Sequence, residues 1–171
     1  MSELRLMAFD AGLVTAHPDA AFAVVSEHRP DVVAITGAPR YQRWRSKRAK
    51  IARQLGLVVA TTDRVGGMFI ATSLRVDPKR TTFQASSSSA GTSPAVITMT
   101  FEVRGEDWRV VLAATGGAAE FAEEPIPTVV VGGVGGPAAI TADRALTVVS
   151  CGPVAVPGLP QARPTLAVLE R

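Results

Sequence analysis

Arg29-Pro-Asp-Val-Val-Ala-Ile-Thr-Gly37 is the stretch on which the fold turns. Behind Pro30, the run Asp31 to Thr36 is short, apolar and largely β-branched, which reads as a buried strand running into a loop at Gly37. Upstream, Leu4 to Phe9 alternates Leu, Leu, Ala against Arg, Met, Phe and ends at Asp10-Ala-Gly, a strand followed by a turn. Between these strands, His17 to His28 carries Ala21, Val24, Val25 and His28 at helical spacing, with Pro18 and Asp19 early, where a first turn tolerates proline and favours an acid. Downstream, Arg40 to Leu55 is a basic helix closed by Gly56. The first half therefore reads β-α-β-α.

Beyond Gly56, strand-like segments follow one another: Leu57 to Ala60, Gly67 to Thr72, Ala95 to Val103 and Trp108 to Ala113, the last two joined by a hairpin turn at Arg104-Gly-Glu-Asp. Thr128 to Val131, Arg144 to Val149 and Thr165 to Leu169 complete the set, with a Pro/Gly-rich passage from Cys151 to Pro164. Ala85 to Pro94 (ASSSSAGTSP) is too small and polar to bury and is expected to be a mobile connection. Two early helices and many strands predict an α/β fold with two sheets layered as a sandwich rather than a doubly wound parallel sheet. No repeat or linker divides residues 1–171, so one domain is expected.

Composition narrows the function classes. The chain is 47% hydrophobic, enough for one core, and its uncharged stretch Pro125 to Ala142 is interrupted by four glycines and three prolines, which argues against a membrane span. The N-terminus lacks the basic and apolar regions of a secretion signal, and the single cysteine, Cys151, permits neither an internal disulfide nor a cysteine-rich zinc site; a cytoplasmic protein is expected. Charge is segregated. Seven of the eighteen basic residues (Arg40, Arg43, Arg45, Lys47, Arg48, Lys50, Arg53) fall in one segment without an acid, leaving eleven against fifteen acids elsewhere, a net of −4.

In a layered sheet protein, chemistry gathers in loops beyond strand ends. The four best candidates are Phe9 to Gly12, Ile35 to Ala38, Ala113 to Gly117 and Gly132 to Gly136, and together they offer one carboxylate, Asp10. The glycine-rich run Val129 to Ala139 (VVVGGVGGPAA) is not a phosphate loop of the nucleotide-binding type, since no Gly-Lys-Ser/Thr follows; its amides could form an anion nest, or the glycines could simply allow close packing.

Taken in order, these segments resemble the endonuclease/exonuclease/phosphatase superfamily. Leu-Arg-Leu-Met-Ala-Phe-Asp10 is similar to its opening strand, which usually ends in Thr-Trp-Asn. Arg29 to Gly37 resembles its Pro-Asp-Val-Val-x-Leu-Gln-Glu strand, and Arg43 to Leu57 the basic helix that follows. Arg109 to Gly116 resembles the strand leading to Thr-His-Leu, Val129 to Pro137 the one leading to Gly-Asp-Phe-Asn, and Ala162 to Glu170 the last strand after Ser-Asp-His. The resemblance implies a Mg²⁺-dependent phosphohydrolase or nuclease site, yet its residues are missing. Asp10 stands at the asparagine position, Gly37 at the glutamate, Ala114 or Thr115 at the first histidine, Gly133 and Gly135 at the Asp-x-Asn pair, and Gln161 and Ala162 at the terminal Asp-His. Cage, base and phosphoryl donors all lack an occupant. The chain also reads as a shortened version of that fold, missing elements that cover a sheet, and uncovered apolar surface predicts a homo-oligomer or a protein partner.

Other features have plainer readings. Arg43, Lys47 and Lys50 share a helix face at i, i+4, i+7 with Tyr41 and Trp44 near, which suits phosphate or nucleic acid, weakly and salt-sensitively. The same helix also reads as a solvated amphipathic one whose stripe of Trp44, Ile51 and Leu55 packs on the sheet with Arg48 snorkelling, and the architecture of the resembling family favours this. Asp10 is either a relic or a cap of its own turn. His17 and His28, eleven residues apart, are no metal pair; Cys151 has no histidine nearby in sequence; Glu120, Glu123 and Glu124 read as a solvated turn. The expectation is thus an inactive relative acting through binding or assembly, with no cofactor and no metal. Its alternatives are a metal-dependent phosphodiesterase or phosphatase using unrecognised ligands, such as Asp10 with Asp143 or the acidic turn, and a nucleic-acid-binding module built on residues 40–53.

Overall fold

The computed structural model describes residues 3–61, 67–85, 95–113, 126–132, 139–142, 147–160, 162 and 164–171. Opening the chain, β1 (Glu3–Asp10) leads through α1 (Ala11–Ala16) and α2 (Pro18–His28) to β2 (Val32–Thr36) and α3 (Trp44–Gln54). Strands β3 (Val58–Val59), β4 (Phe69–Thr72), β5 (Asp77–Ala85), β6 (Ala95–Val103) and β7 (Glu106–Ala113) follow. The chain ends with β8 (Thr128–Gly132), β9 (Ala139–Ala142), β10 (Thr147–Pro153) and β11 (Thr165–Glu170).

Two sheets result, a six-stranded one ordered β10-β11-β1-β2-β4-β3 and a five-stranded one ordered β5-β6-β7-β8-β9. The alternation of β1 decides how they layer. Leu4, Leu6 and Ala8 point into a core shared with Ile97, Phe101 and Trp108 of the second sheet. Met7 and Phe9 point the other way, into a core formed with Val14, Val24 and Ile51 of the three helices. Strand β2 does the same with Val32 and Ala34 against Val33 and Ile35. A strand covered on both faces reads as a continuous apolar run, which is why Val32 to Ile35 contains no polar residue. The fold is therefore an α/β sandwich of two sheets with helices on the outer face of the first.

Local signals hold these layers in register. Asp31, almost fully buried, accepts a hydrogen bond from the Arg5 amide at 3.1 Å and pairs with Arg75 at 3.7 Å, tying the start of β2 to β1 and to the turn before β5. Gly56 closes α3 at φ +71°, in the left-handed region where glycine has no Cβ to crowd the carbonyl, and Leu57 N–H donates back to Ala52 O at 2.9 Å. Arg104 and Gly105, both at positive φ, make the two-residue β6–β7 hairpin.

Four expectations need correction. The turn at Asp10-Ala-Gly is the start of α1, a six-residue helix that buries Ala11 and Val14. Strand β5 falls where the sequence pattern predicts no element, because as the edge of its sheet it carries Asp77, Pro78, Lys79 and Arg80, the charged and bulged character that protects an edge. Strand β9, four residues beside a glycine-rich run, was likewise missed. Cys151 does not open the Pro/Gly-rich passage; β10 continues through it to Pro153, whose missing N–H is tolerated at an edge. The expected mobile connection begins at Ala85, which ends β5; residues 86–94 lie outside the described residues.

Among the described residues no helix covers the outer face of the five-stranded sheet, and none is long and apolar enough to cross a membrane. That outer face carries Arg80, Thr82, Thr98 and Thr100, so toward β5 it is polar rather than apolar. Large exposed hydrophobic side chains, Phe22, Val58, Leu74 and Phe83 among them, come from separate elements.

Candidate functional site

Strands β1 and β2 run parallel with Asp10 opposite Thr36, so both end at the same edge of the sheet. Here the resemblance places two metal ligands side by side. Asp10 is exposed and caps α1, its Oδ1 accepting the Gly12 N–H at 2.7 Å. On the neighbouring strand end, Gly37 has φ +65°, and a Cβ built there would lie 2.7 Å from Asp10 Oδ2. A Cβ at Gly12 would lie equally close to Oδ1. The carboxylate is thus clasped between two glycines, and Gly37 is required both by its backbone and by the space that Asp10 occupies.

A Mg²⁺ ion demands near-octahedral oxygen ligation, met with carboxylates and several waters. The described residues at this edge do not fit one: Asp10 already spends one oxygen on a helix cap, and its neighbour offers no ligand. Among the described residues, no three His, Cys, Asp or Glu side chains come together. Ala162 sits half-buried in the segment before β11, its N–H donating to Leu159 O at 3.0 Å. Thr165, the first residue of β11, pairs with Ala8, so this segment approaches the same sheet edge as Asp10. Ala114, Thr115, Gly133, Gly135, Gln161, Asp143 and the acidic turn of Glu120, Glu123 and Glu124 lie outside the described residues.

Next to this edge lies the basic segment. Ala38 N–H donates to Gly67 O at 2.7 Å, and the Arg40 side chain packs by Gly67. The helix begins at Trp44, not Arg40, because Gln42 (φ 28°) and Arg43 (φ 55°) are left-handed and turn the chain into it. Arg43 is consequently the N-cap residue, without a side-chain cap bond, and the first turn holds no acid. Gln42, Arg43 and Lys47 line an open cleft of about 430 Å³. Lys50 is exposed one turn further on.

Arg48 does not snorkel. Only 1% exposed, it donates from Nε to Pro39 O at 3.2 Å and from one terminal nitrogen to Met68 O at 3.0 Å. Its guanidinium lies 4.8 Å from the Trp44 ring centre and 5.6 Å from that of Phe69. Burial lowers its pKa from the usual arginine value. Arg48 is therefore a strut between the loops following β2 and preceding β4, the role the sequence reading missed. The signal was there, since Arg48 stands on the apolar stripe between Trp44 and Ala52 at i+4 spacing.

His17 joins α1 to α2 without a side-chain cap bond, and His28 occupies the last turn of α2, where a cation suits the helix dipole. Cys151 is exposed on the edge strand β10.

No protein-family model and no curated protein matches this sequence. Solved structures do match its backbone. An endonuclease/exonuclease/phosphatase from Bacteroides vulgatus is similar over 99% of both chains, with a TM-score of 0.71 and 14% identity. TDP2 from D. rerio, complexed with single-strand DNA product, is similar over 100% of both at 0.66 and 8%. A mannosyl-6-phosphatase from Bacteroides thetaiotaomicron VPI-5482 is similar over 98% of both at 0.64 and 10%. The fold is accordingly of the endonuclease/exonuclease/phosphatase type.

Proposed function

We propose that this protein is a pseudoenzyme, a single domain that keeps the endonuclease/exonuclease/phosphatase-like fold and acts by binding or assembly in the cytoplasm. The observation that carries the reading is the pairing of Asp10 with Gly37: where two adjacent strand ends would each present a metal ligand, one presents a helix cap and the other a glycine with no room for a side chain. Clustered carboxylates repel one another unless a cation holds them, so a fold that gives up the cation is relieved by losing all but one.

The test pairs calorimetric titration of Mg²⁺ and Mn²⁺ with turnover of a generic phosphodiester. No metal-dependent heat and no turnover are expected. Metal binding and turnover that both vanish in Asp10→Ala would overturn the proposal and direct attention to carboxylates outside the described residues. Self-association, the simplest form of assembly, is checked separately by light scattering; a monodisperse monomer at high concentration leaves a different protein as the partner.

A further inference from the structure

The exposed cations from Arg43 to Arg53 stand apart, among the described residues, from the basic side chains that are ion-paired. Arg5, Arg75, Lys79 and Arg171 each pair with a carboxylate. Among the described residues Arg43, Arg45, Lys47, Lys50 and Arg53 pair with none, although all five are exposed. From Arg43 to Lys50 is about 10 Å along the axis at roughly 1.5 Å per residue, so Arg43, Lys47 and Lys50 form a short row of positive charge. Two of them line the cleft with Gln42.

Aromatic rings alternate with these cations. Tyr41 is 68% exposed, with the Arg40 guanidinium 5.9 Å from its ring centre, and Trp44 is half-buried with Arg45 at 4.7 Å. A cationic track beside an exposed ring, here Tyr41, is what sequence-tolerant binding of a single strand requires, because phosphates follow the charges while unpaired bases stack. An acidic peptide would satisfy the charges alone, and a duplex keeps its base faces covered.

From this we infer that the face formed by Tyr41, Arg43, Lys47 and Lys50 docks single-stranded nucleic acid. The inference rests on the pseudoenzyme reading only for the fate of the strand, which is held and released uncut.

Fluorescence anisotropy of a labelled oligothymidylate with the full chain tests it. Binding is expected at low salt and should weaken with a log–log slope near −2, from about 0.7 per phosphate for three contacts. Arg43→Glu combined with Lys47→Glu should lower affinity about tenfold or more and take about 1.4 off that slope. Tyr41→Ala should cost about tenfold with the slope unchanged. Ultraviolet crosslinking of the unaltered protein to a bromodeoxyuridine strand, with peptide mapping, needs no variant and should mark Tyr41 or Trp44. The inference is overturned by absence of binding at low salt, by a charge-reversed variant that binds like the parent, by crosslinks confined to other elements, or by phosphatidylserine vesicles that the strand cannot displace. Metal-dependent cutting of a bound strand, lost in Asp10→Ala, would instead sink the pseudoenzyme reading and leave the docking surface standing.

Discussion

The middles of β1 and β2 and the ends of the same two strands are built on opposite terms. In the middle, Leu6 and Val32 face one core and Met7 and Val33 the other, all fully buried. At the end, Asp10 is exposed and Gly37 leaves it room. Such middles are specified by volume and burial, whereas the ends of strands are where a fold of this type would carry chemistry. The two parts can therefore change independently. A sandwich can keep its interior while the residues at its strand ends vary, and the packing of Leu4 to Ala8 does not involve the Asp10 carboxylate.

The most damaging test of that separation is Trp108→Ala. Trp108 is fully buried between the sheets, and its truncation should cost about 3–5 kcal/mol in urea unfolding. A cost below about 1 kcal/mol would mean that the interior is not what holds the sandwich. Next comes Arg48→Ala, which removes the strut to Pro39 O and Met68 O and should cost about 2–3 kcal/mol. Arg48→Lys should not restore it, because a point charge cannot reach two carbonyls and stack between two rings; full rescue by lysine would reduce the strut to a charge.

At the strand ends the effects should be smaller. Gly37→Ala is expected to cost about 1–2 kcal/mol from its left-handed backbone, and further from its Cβ, which would press on Asp10 Oδ2. Gly37→Glu should cost more by crowding Asp10, and Asp10→Ala should recover part of that extra cost in a double-mutant cycle while itself losing about 1 kcal/mol of cap. Strict additivity would show that the two strand ends do not touch.

Smallest of all should be Lys79→Met, on the surface away from both regions. Hydrogen bonds to Asp107 and then Glu102 raise the Lys79 pKa, so its contribution is present at neutral pH and lost only as the solution becomes strongly alkaline. The shift in unfolding midpoint should be slight at pH 7 and should fade in high salt, because the lysine is solvent-screened. Persistence in high salt would mark the pair as buried.

Elements whose signal is local were legible in the sequence. The alternation of Leu4 to Phe9, the apolar run of β2, Pro18 at the first position of α2 and Gly56 after α3 each act within a few residues. The missed elements depend on neighbours. Helix α1 is too short to stand alone and persists because Asp10 caps it and Val14 packs on the sheet. Strand β5 shows no clean hydrophobic pattern because it is an edge, a position known only once the sheet is assembled. The start of α3 was misplaced by four residues, since nothing in Arg40 to Arg43 announces two left-handed residues in a row.

By itself the sequence determined the layered α/β architecture, the collection of positive charge in residues 40–53 and the scarcity of acids in the strand-end loops, because periodicity, charge and residue identity need no partner. Only the tertiary structure decided that Gly37 closes against Asp10, that Arg48 lies inside while its five exposed neighbours stay in water, and that Cys151 belongs to a sheet edge. Those facts follow from strand pairing and close packing between segments distant along the chain, which no local pattern encodes.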